Sequence, residues 1–388
     1  MVTGSAPDDD LSVARLIEEV ATRAGPWPGA VPFTATLELL VGSSLRTGAL
    51  NATGRQVLRK AALRHLRNLR DLQTLVDLRP DVAEDPVEAP IVVTGLPRTG
   101  TTLLHNLLAL DPAHRTLRFW EALRPLPAGA GGPSSAAAQA QARGWLDAFY
   151  RLVPAFEAIH RATPTGPEEC DALLQNTFAS QHFDDMFDAE EYSTWLAGAS
   201  LRDEYEHYAL QLRVLSTPAG TRWALKSPSH LGHLDALLDA LPGATIVVCH
   251  RDPQEAVGSY ASLVHALRRA YSDTVSPAVV GRQVMARATT AMRRALGVRD
   301  DTAGSAFVDV SYQELLHHPL ETVRAVYREL GRPLGLDVEE RMRLWSAANR
   351  QHGHGVHDYD LARFGLTGDE VDAAFAFYTE RFGALAGG

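Results

Sequence analysis

The sequence predicts an α/β protein: a P-loop-like parallel β-sheet flanked by helices, with an N-terminal helical segment and a helical insertion over the candidate site. Three observations lead there. A short β-branched run, Ile91, Val92 and Val93, gives way to a turn containing Gly95 and Gly100, and then to Leu103, Leu104, Leu107, Leu108 and Leu110 at helical spacing. Further short apolar runs at 221–226, 244–250 and 307–310 alternate with helical stretches, the pattern of parallel strands joined by right-handed crossovers. With 388 residues, 45% apolar and 22% charged, the chain has the composition of an ordinary globular protein and ample material for a core.

In chain order, residues 1–88 form the N-terminal helical segment and residues 89–388 the α/β domain. Leu11, Val13, Leu16, Ile17 and Val20 trace one amphipathic helix, and Val57, Leu58, Ala61, Leu63, Leu66, Leu69, Leu72 and Val76 another. Arg55, Arg59, Arg64, Arg67 and Arg70 with Lys60 give the second helix a basic face, read as a solvated surface. Residues 112–218 are the insertion. They begin with a Gly/Ala/Pro-rich loop at 125–133 and an alanine-rich helix, and they carry much of the aromatic content, from Trp145 and Phe149 to Tyr205 and Tyr208. Such a layer beside the loop is a natural wall for a second ligand.

The turn after the first strand expects an anion. Strand, glycine turn and helix in that order gather backbone N–H groups and the positive end of a helix dipole around one point. The spacing of Gly95 and Gly100 copies the nucleotide P-loop, but Thr101 stands where that motif has lysine and Thr102 where it has Ser/Thr. A loop with only N–H groups, hydroxyls and Arg98 suits a single 5′-phosphate. Arg251 at a strand end, with Ser259 eight residues on, suits a second phosphate, Arg as a planar fork of donors and Ser as a short hydroxyl.

Other features narrow the reading. A net charge of −10 argues against a broad nucleic-acid surface. Cys170 and Cys249 make no disulfide framework and lack metal-ligand spacing. His352, His354 and His357 are spaced by glycines without a clear acid or cysteine partner, so no metal is expected. The acidic N-terminus lacks the pattern of a signal peptide and no stretch is apolar enough to span a bilayer, which suggests a cytoplasmic protein.

Taken together, Pro97-Arg98-Thr99-Gly100-Thr101-Thr102-Leu103, Trp120-Glu121, Leu225-Lys226-Ser227-Pro228 and His250-Arg251-Asp252-Pro253 with Ser259 resemble the sulfotransferases that use 3′-phosphoadenosine 5′-phosphosulfate (PAPS). The likeness is to the bacterial branch that also resembles protein-tyrosine and carbohydrate sulfotransferases, and it runs from roughly Leu11 to the C-terminus. It implies that Arg98, Thr99, Gly100, Thr101 and Thr102 hold the 5′-phosphosulfate and Arg251 with Ser259 the 3′-phosphate. It also places Glu121 at the family's catalytic acid position, as base, with Lys226 and Arg98 neutralising charge on the sulfuryl group and the leaving phosphate. The expected reaction moves the sulfuryl group to a hydroxyl of a small-molecule alcohol or phenol, releases 3′,5′-ADP and requires no metal. His182, His230 and His233 are alternative bases in helical, more structural contexts. Two rival readings are a P-loop kinase or NTPase, which lacks its lysine here, and a catalytically inactive nucleotide-binding protein. The family often closes a basic C-terminal loop over the nucleotide; this chain offers Arg350 and histidines there.

Overall fold

The computed structural model describes residues 9–84, 86–127, 134–159, 161–215, 218, 220–302, 306–349 and 360–387. Five strands, β1 (Ile91–Gly95), β2 (His114–Arg115), β3 (Arg222–Lys226), β4 (Thr245–His250) and β5 (Phe307–Ser311), form one sheet in the order β2-β3-β1-β4-β5. All neighbours are parallel. Four of the strands coincide closely with the apolar runs in the sequence. The two-residue edge strand β2 does not, because two residues hold no periodicity to read.

Register decides where the site lies. Val93 pairs with Lys226, Gly95 with Cys249, and His250 with Ser311. The carboxyl ends of the three central strands and β5 are therefore nearly level, and the chain emerging from each enters the same crevice, as expected for an open parallel sheet.

Side chains alternate across the sheet. Ile91, Val93, Val247 and Cys249 pack on one face with Leu104, Leu107, Leu108, Leu315 and Val326. Val92, Leu225, Ile246 and Val248 face the larger layer, whose core joins the N-terminal helices through Leu16, Leu37, Leu58 and Leu66 to the insertion through Phe178, Tyr205 and Leu212. Polar pins hold this arrangement. His105, in the helix Thr101–Leu108, donates from Nε2 to the Ala224 carbonyl at 3.0 Å, and burial pushes its pKa down to about 3, so a neutral ring ties the loop helix to β3. At the far side His250 bonds Tyr378 and Asp309, and Asp309 takes both ends of the Arg299 fork at 2.6 and 2.7 Å.

The basic face of the helix Ala52–Leu78 is not simply solvated. Arg59 pairs with Glu19, Arg70 with Asp71, and Arg64 turns into the central cavity. Such long side chains cover neighbouring apolar surface while their heads seek partners inside the layer. The alanine-rich stretch forms the helix Ser135–Leu152. Part of the glycine-rich loop before it, Arg350, and the histidines at 352, 354 and 357 lie outside the described residues.

Candidate active site

The glycine turn is fixed by close approach. Gly100 has φ +87°, and a Cβ there would meet the Tyr312 ring at 2.8 Å. Arg98 adopts the left-handed region (φ +74°), uncommon for a bulky residue. Two contacts hold it: its Nε donates to Ser259 Oγ at 3.0 Å, and its carbonyl accepts from Arg251 Nη1 at 2.8 Å. The amides of Gly100, Thr101, Thr102 and Leu103 donate to no acceptor among the described residues. Four free N–H groups at the start of a helix make a cup for an anion.

The lysine missing from the loop arrives from β3. Lys226, 1% exposed, extends its Nζ to 3.3 Å from Thr102 Oγ1 and 2.5 Å from Glu169 Oε1. Glu169 is brought there because the next residue, Cys170, donates its amide to the Lys226 carbonyl at 3.0 Å. A cation thus stands beside the anion cup, held by a carboxylate.

Arg251 leaves β4 and lies over the Tyr312 ring, 4.3 Å from its centre, with Nε on Glu255 at 2.8 Å. Tyr312 opens the helix that follows β5 and therefore touches both the turn at Gly100 and Arg251. The two anion sites inferred separately from the sequence are joined: Arg251 holds the backbone of Arg98, and Arg98 holds Ser259.

From this crevice a cavity of about 1,360 Å³ runs under the insertion. At one end are Arg98, Gly100, Thr101, Thr102, Arg251, Tyr312 and Trp345. The other end is aromatic: Trp145 stacks on Phe149 at 5.2 Å between ring centres, and Phe156 meets Phe149 edge-on at 5.0 Å. Glu169, Asp171, His182 and Asp185 line the same cavity. Burial pushes Asp171 up to about 6, opposed by the Ser180 hydroxyl donating at 2.5 Å. Burial likewise raises Asp185 to about 7, opposed by a 2.7 Å hydrogen bond from Tyr260.

The structure sorts the residues singled out in the sequence. Arg98, Gly100, Thr101, Thr102 and Arg251 line the cavity and Lys226 reaches Thr102. Thr99 is buried with its hydroxyl on the Leu96 carbonyl, and Ser259 is buried against Arg98. Glu121 sits in the short helix Phe119–Leu123, whose Phe119 and Ala122 line the cavity, while its own carboxylate accepts from the Arg118 amide at 2.9 Å and pairs with Arg115 at 2.9 Å. His230 is buried between Cys170 and Tyr205, and burial pushes both it and His233 down to about 3; His182 alone of the three lines the cavity. Sequence reasoning missed Glu169, Asp171, Asp185, Arg64 and Tyr312. Tyr312 carried a usable signal, its place at a strand's carboxyl end, and Arg64 a faint one.

Comparison with known proteins agrees with this geometry. A family model described as the sulfotransferase family matches residues 90–335. The crystal structure of sulfotransferase STF9 from Mycobacterium avium is 28% identical, with 97% of this chain and 98% of that one covered and a TM-score of 0.84. Sulfotransferase STF1 from Mycobacterium tuberculosis H37Rv is 27% identical, covering 94% of this chain and 98% of that one, with a TM-score of 0.79. No curated protein matches.

Proposed function

The chain belongs to the sulfotransferase family, and from that premise we propose that it transfers a sulfuryl group from PAPS to the hydroxyl of a small-molecule alcohol or phenol. The observation that carries the reading is the anion cup with Lys226 at its rim and Arg251 beyond it, opening on one cavity with an aromatic end. Bound PAPS supplies a sulfuryl group whose S–O bond to the 5′-phosphate breaks, leaving the electron pair on 3′,5′-ADP, as the acceptor oxygen bonds to sulfur.

The chain's own residues have separate tasks. The free amides of 100–103 and the Thr102 hydroxyl hold the phosphosulfate end, with Arg98 and Thr99 shaping the turn. Arg251 takes the 3′-phosphate, and Ser259 acts beside it through Arg98. Lys226 places positive charge where negative charge develops, stabilisation that counts for most where water is excluded. A carboxylate accepts the proton of the hydroxyl. For that base the sequence offers Glu121 and the fold offers Glu169. Glu169 stands beside Lys226 already, whereas Glu121 must first release Arg115.

Calorimetry with 3′,5′-ADP in the absence of Mg²⁺ tests the donor assignment. Binding weakened by Arg251→Ala is the expected result; no binding, or equal affinity for ATP, removes PAPS as donor. Transfer from labelled PAPS to a panel of phenols and alcohols tests the acceptor class. Loss of transfer with retained nucleotide affinity in Glu121→Gln but not in Glu169→Gln assigns the base to Glu121, and the reverse assigns it to Glu169.

A further inference from the structure

Arg64 lines the aromatic end of the cavity, its guanidinium carbon 6.0 Å from the centre of the Trp145 ring. It is held from behind by an uncharged relay whose direction is fixed by its last member. The Leu173 carbonyl can only accept, so Gln211 donates to it from Nε2 at 3.0 Å and turns Oε1 to Asn176 Nδ2 at 2.8 Å. Asn176 Oδ1 then accepts from Asn68 at 3.0 Å and from His65 Nδ1–H at 2.8 Å. That tautomer leaves a lone pair on His65 Nε2, which takes a hydrogen bond from Arg64 Nη2 at 3.0 Å. Burial, with the nearby Arg64 charge, keeps His65 neutral.

The relay orients the cation without neutralising it. Arg115, Arg268, Arg287 and Arg299 each face a carboxylate, but Arg64 has none within ion-pair distance among the described residues. Its Nε and Nη1 have no protein acceptor there either, and Nε is sealed from solvent. Burial lowers its pKa to about 10, with no carboxylate opposing, so it stays charged at neutral pH. A partly buried, uncompensated cation is costly to keep. One whose Nη1 is left without an acceptor and unsealed, on a residue lining a ligand cavity, is compensated when an anion arrives.

Resting on the sulfotransferase reading above, we infer that Arg64 selects acceptors with an anionic oxygen group, a carboxylate or an ester sulfate, carried on an aromatic or flat apolar body. The body lies against Trp145 and Phe149, the anion meets Nη1 of Arg64, and the hydroxyl faces Lys226. This makes Arg64 a specificity residue, separate from the machinery of transfer.

The test compares matched acceptors. Wild-type protein, with PAPS present, is assayed on 4-hydroxyphenylacetate, hydroquinone monosulfate and neutral 4-ethylphenol, and binding of each is measured calorimetrically in the 3′,5′-ADP complex. Arg64→Gln keeps a polar amide but no charge, and Arg64→Lys keeps the charge. We expect at least one anionic phenol to be favoured over 4-ethylphenol roughly ten- to a hundredfold in kcat/KM, the scale of a charge-assisted hydrogen bond. That ratio should collapse in Arg64→Gln, survive in part in Arg64→Lys, and leave 3′,5′-ADP affinity within threefold in both. A purely structural role would lower all three acceptors together and leave the ratio intact, which overturns the inference, as does absence of any anion preference in the wild type. Failure of the sulfotransferase reading looks different: no transfer to any phenol, while the calorimetric preference for anions and its loss in Arg64→Gln still decide the role of Arg64.

Discussion

The two ends of the cavity are built differently. At the end with the glycine turn, the turn after β1, Lys226, Arg251 and Tyr312 leave the ends of adjacent strands, so sheet register alone brings them together. At the aromatic end Arg64, Trp145 and Phe149 come from helices far apart in sequence, and only tertiary packing makes them neighbours. The anion cup sits on strand ends, and the aromatic end sits on helices of both the N-terminal segment and the insertion, where sequence can change without moving the sheet.

The strongest way to break this division is Lys226→Ala. If transfer depends on the strand-end cation, the single-turnover rate from PAPS to a phenol should fall about a hundred- to a thousandfold. A fall below tenfold would move the transfer point elsewhere. Arg251→Ala should weaken 3′,5′-ADP roughly ten- to a hundredfold by calorimetry with little change in acceptor KM at saturating donor. Phe149→Ala should do the converse, raising the KM of a phenolic acceptor about tenfold, the scale of a lost aromatic pair, and sparing nucleotide affinity. If either variant disturbs both ends equally, the ends are not independent.

Stability against pH adds a second contrast, because Asp309 on β5 and Asp171 in the cavity wall have pKa shifts of opposite direction. Asp309, beside the donor strands, is held well below the usual carboxylate range by Arg299 and His250 against the cost of burial. Its contribution is present above the unfolded value near 3.8 and is lost as pH falls through the folded one. Asp309→Asn should therefore cost about 2 kcal/mol at pH 7 and progressively less in acid, as read from denaturant melts. Asp171, in the acceptor wall, is raised from 3.8 to about 6. Its protonated form suits the fold, so that contribution is full below about pH 4 and lost as pH rises through 6. Relative to the wild type, Asp171→Asn should gain on the order of 2 kcal/mol between pH 4 and pH 8. A change of the same sign in both variants would contradict these assignments.

The same difference explains what could be read from the sequence. Strand, turn and helix around Gly95 and Gly100 are local, and so are the strand ends carrying Lys226 and Arg251; each lies within a dozen residues of a recognisable pattern. That Lys226 would reach Thr102, replacing the lysine the loop lacks, follows from the pairing of β1 with β3, which no local pattern reveals. Glu169 gives no signal at all, since it depends on one amide of the insertion binding the end of β3. Arg64 left a faint one: His65 and Asn68 interrupt the apolar stripe of their helix with buried polar groups, which implies a polar structure inside the layer. Glu121 was legible as a position, but the capping geometry that engages its carboxylate depends on Arg115 as well as its own helix.

Tyr312 has a consequence beyond its own contacts. The edge of its ring closes on Gly100 and its face supports the guanidinium of Arg251, so one side chain acts as the spacer that sets the gap between the glycine turn and that arginine. Under the PAPS reading proposed above, the pair works as a caliper, admitting molecules whose anionic groups sit across a ribose and excluding those that string them in a row, as a triphosphate does. Shortening the spacer to leucine should blur that measurement, loosening the preference for 3′,5′-ADP over ATP even though neither grip has been touched.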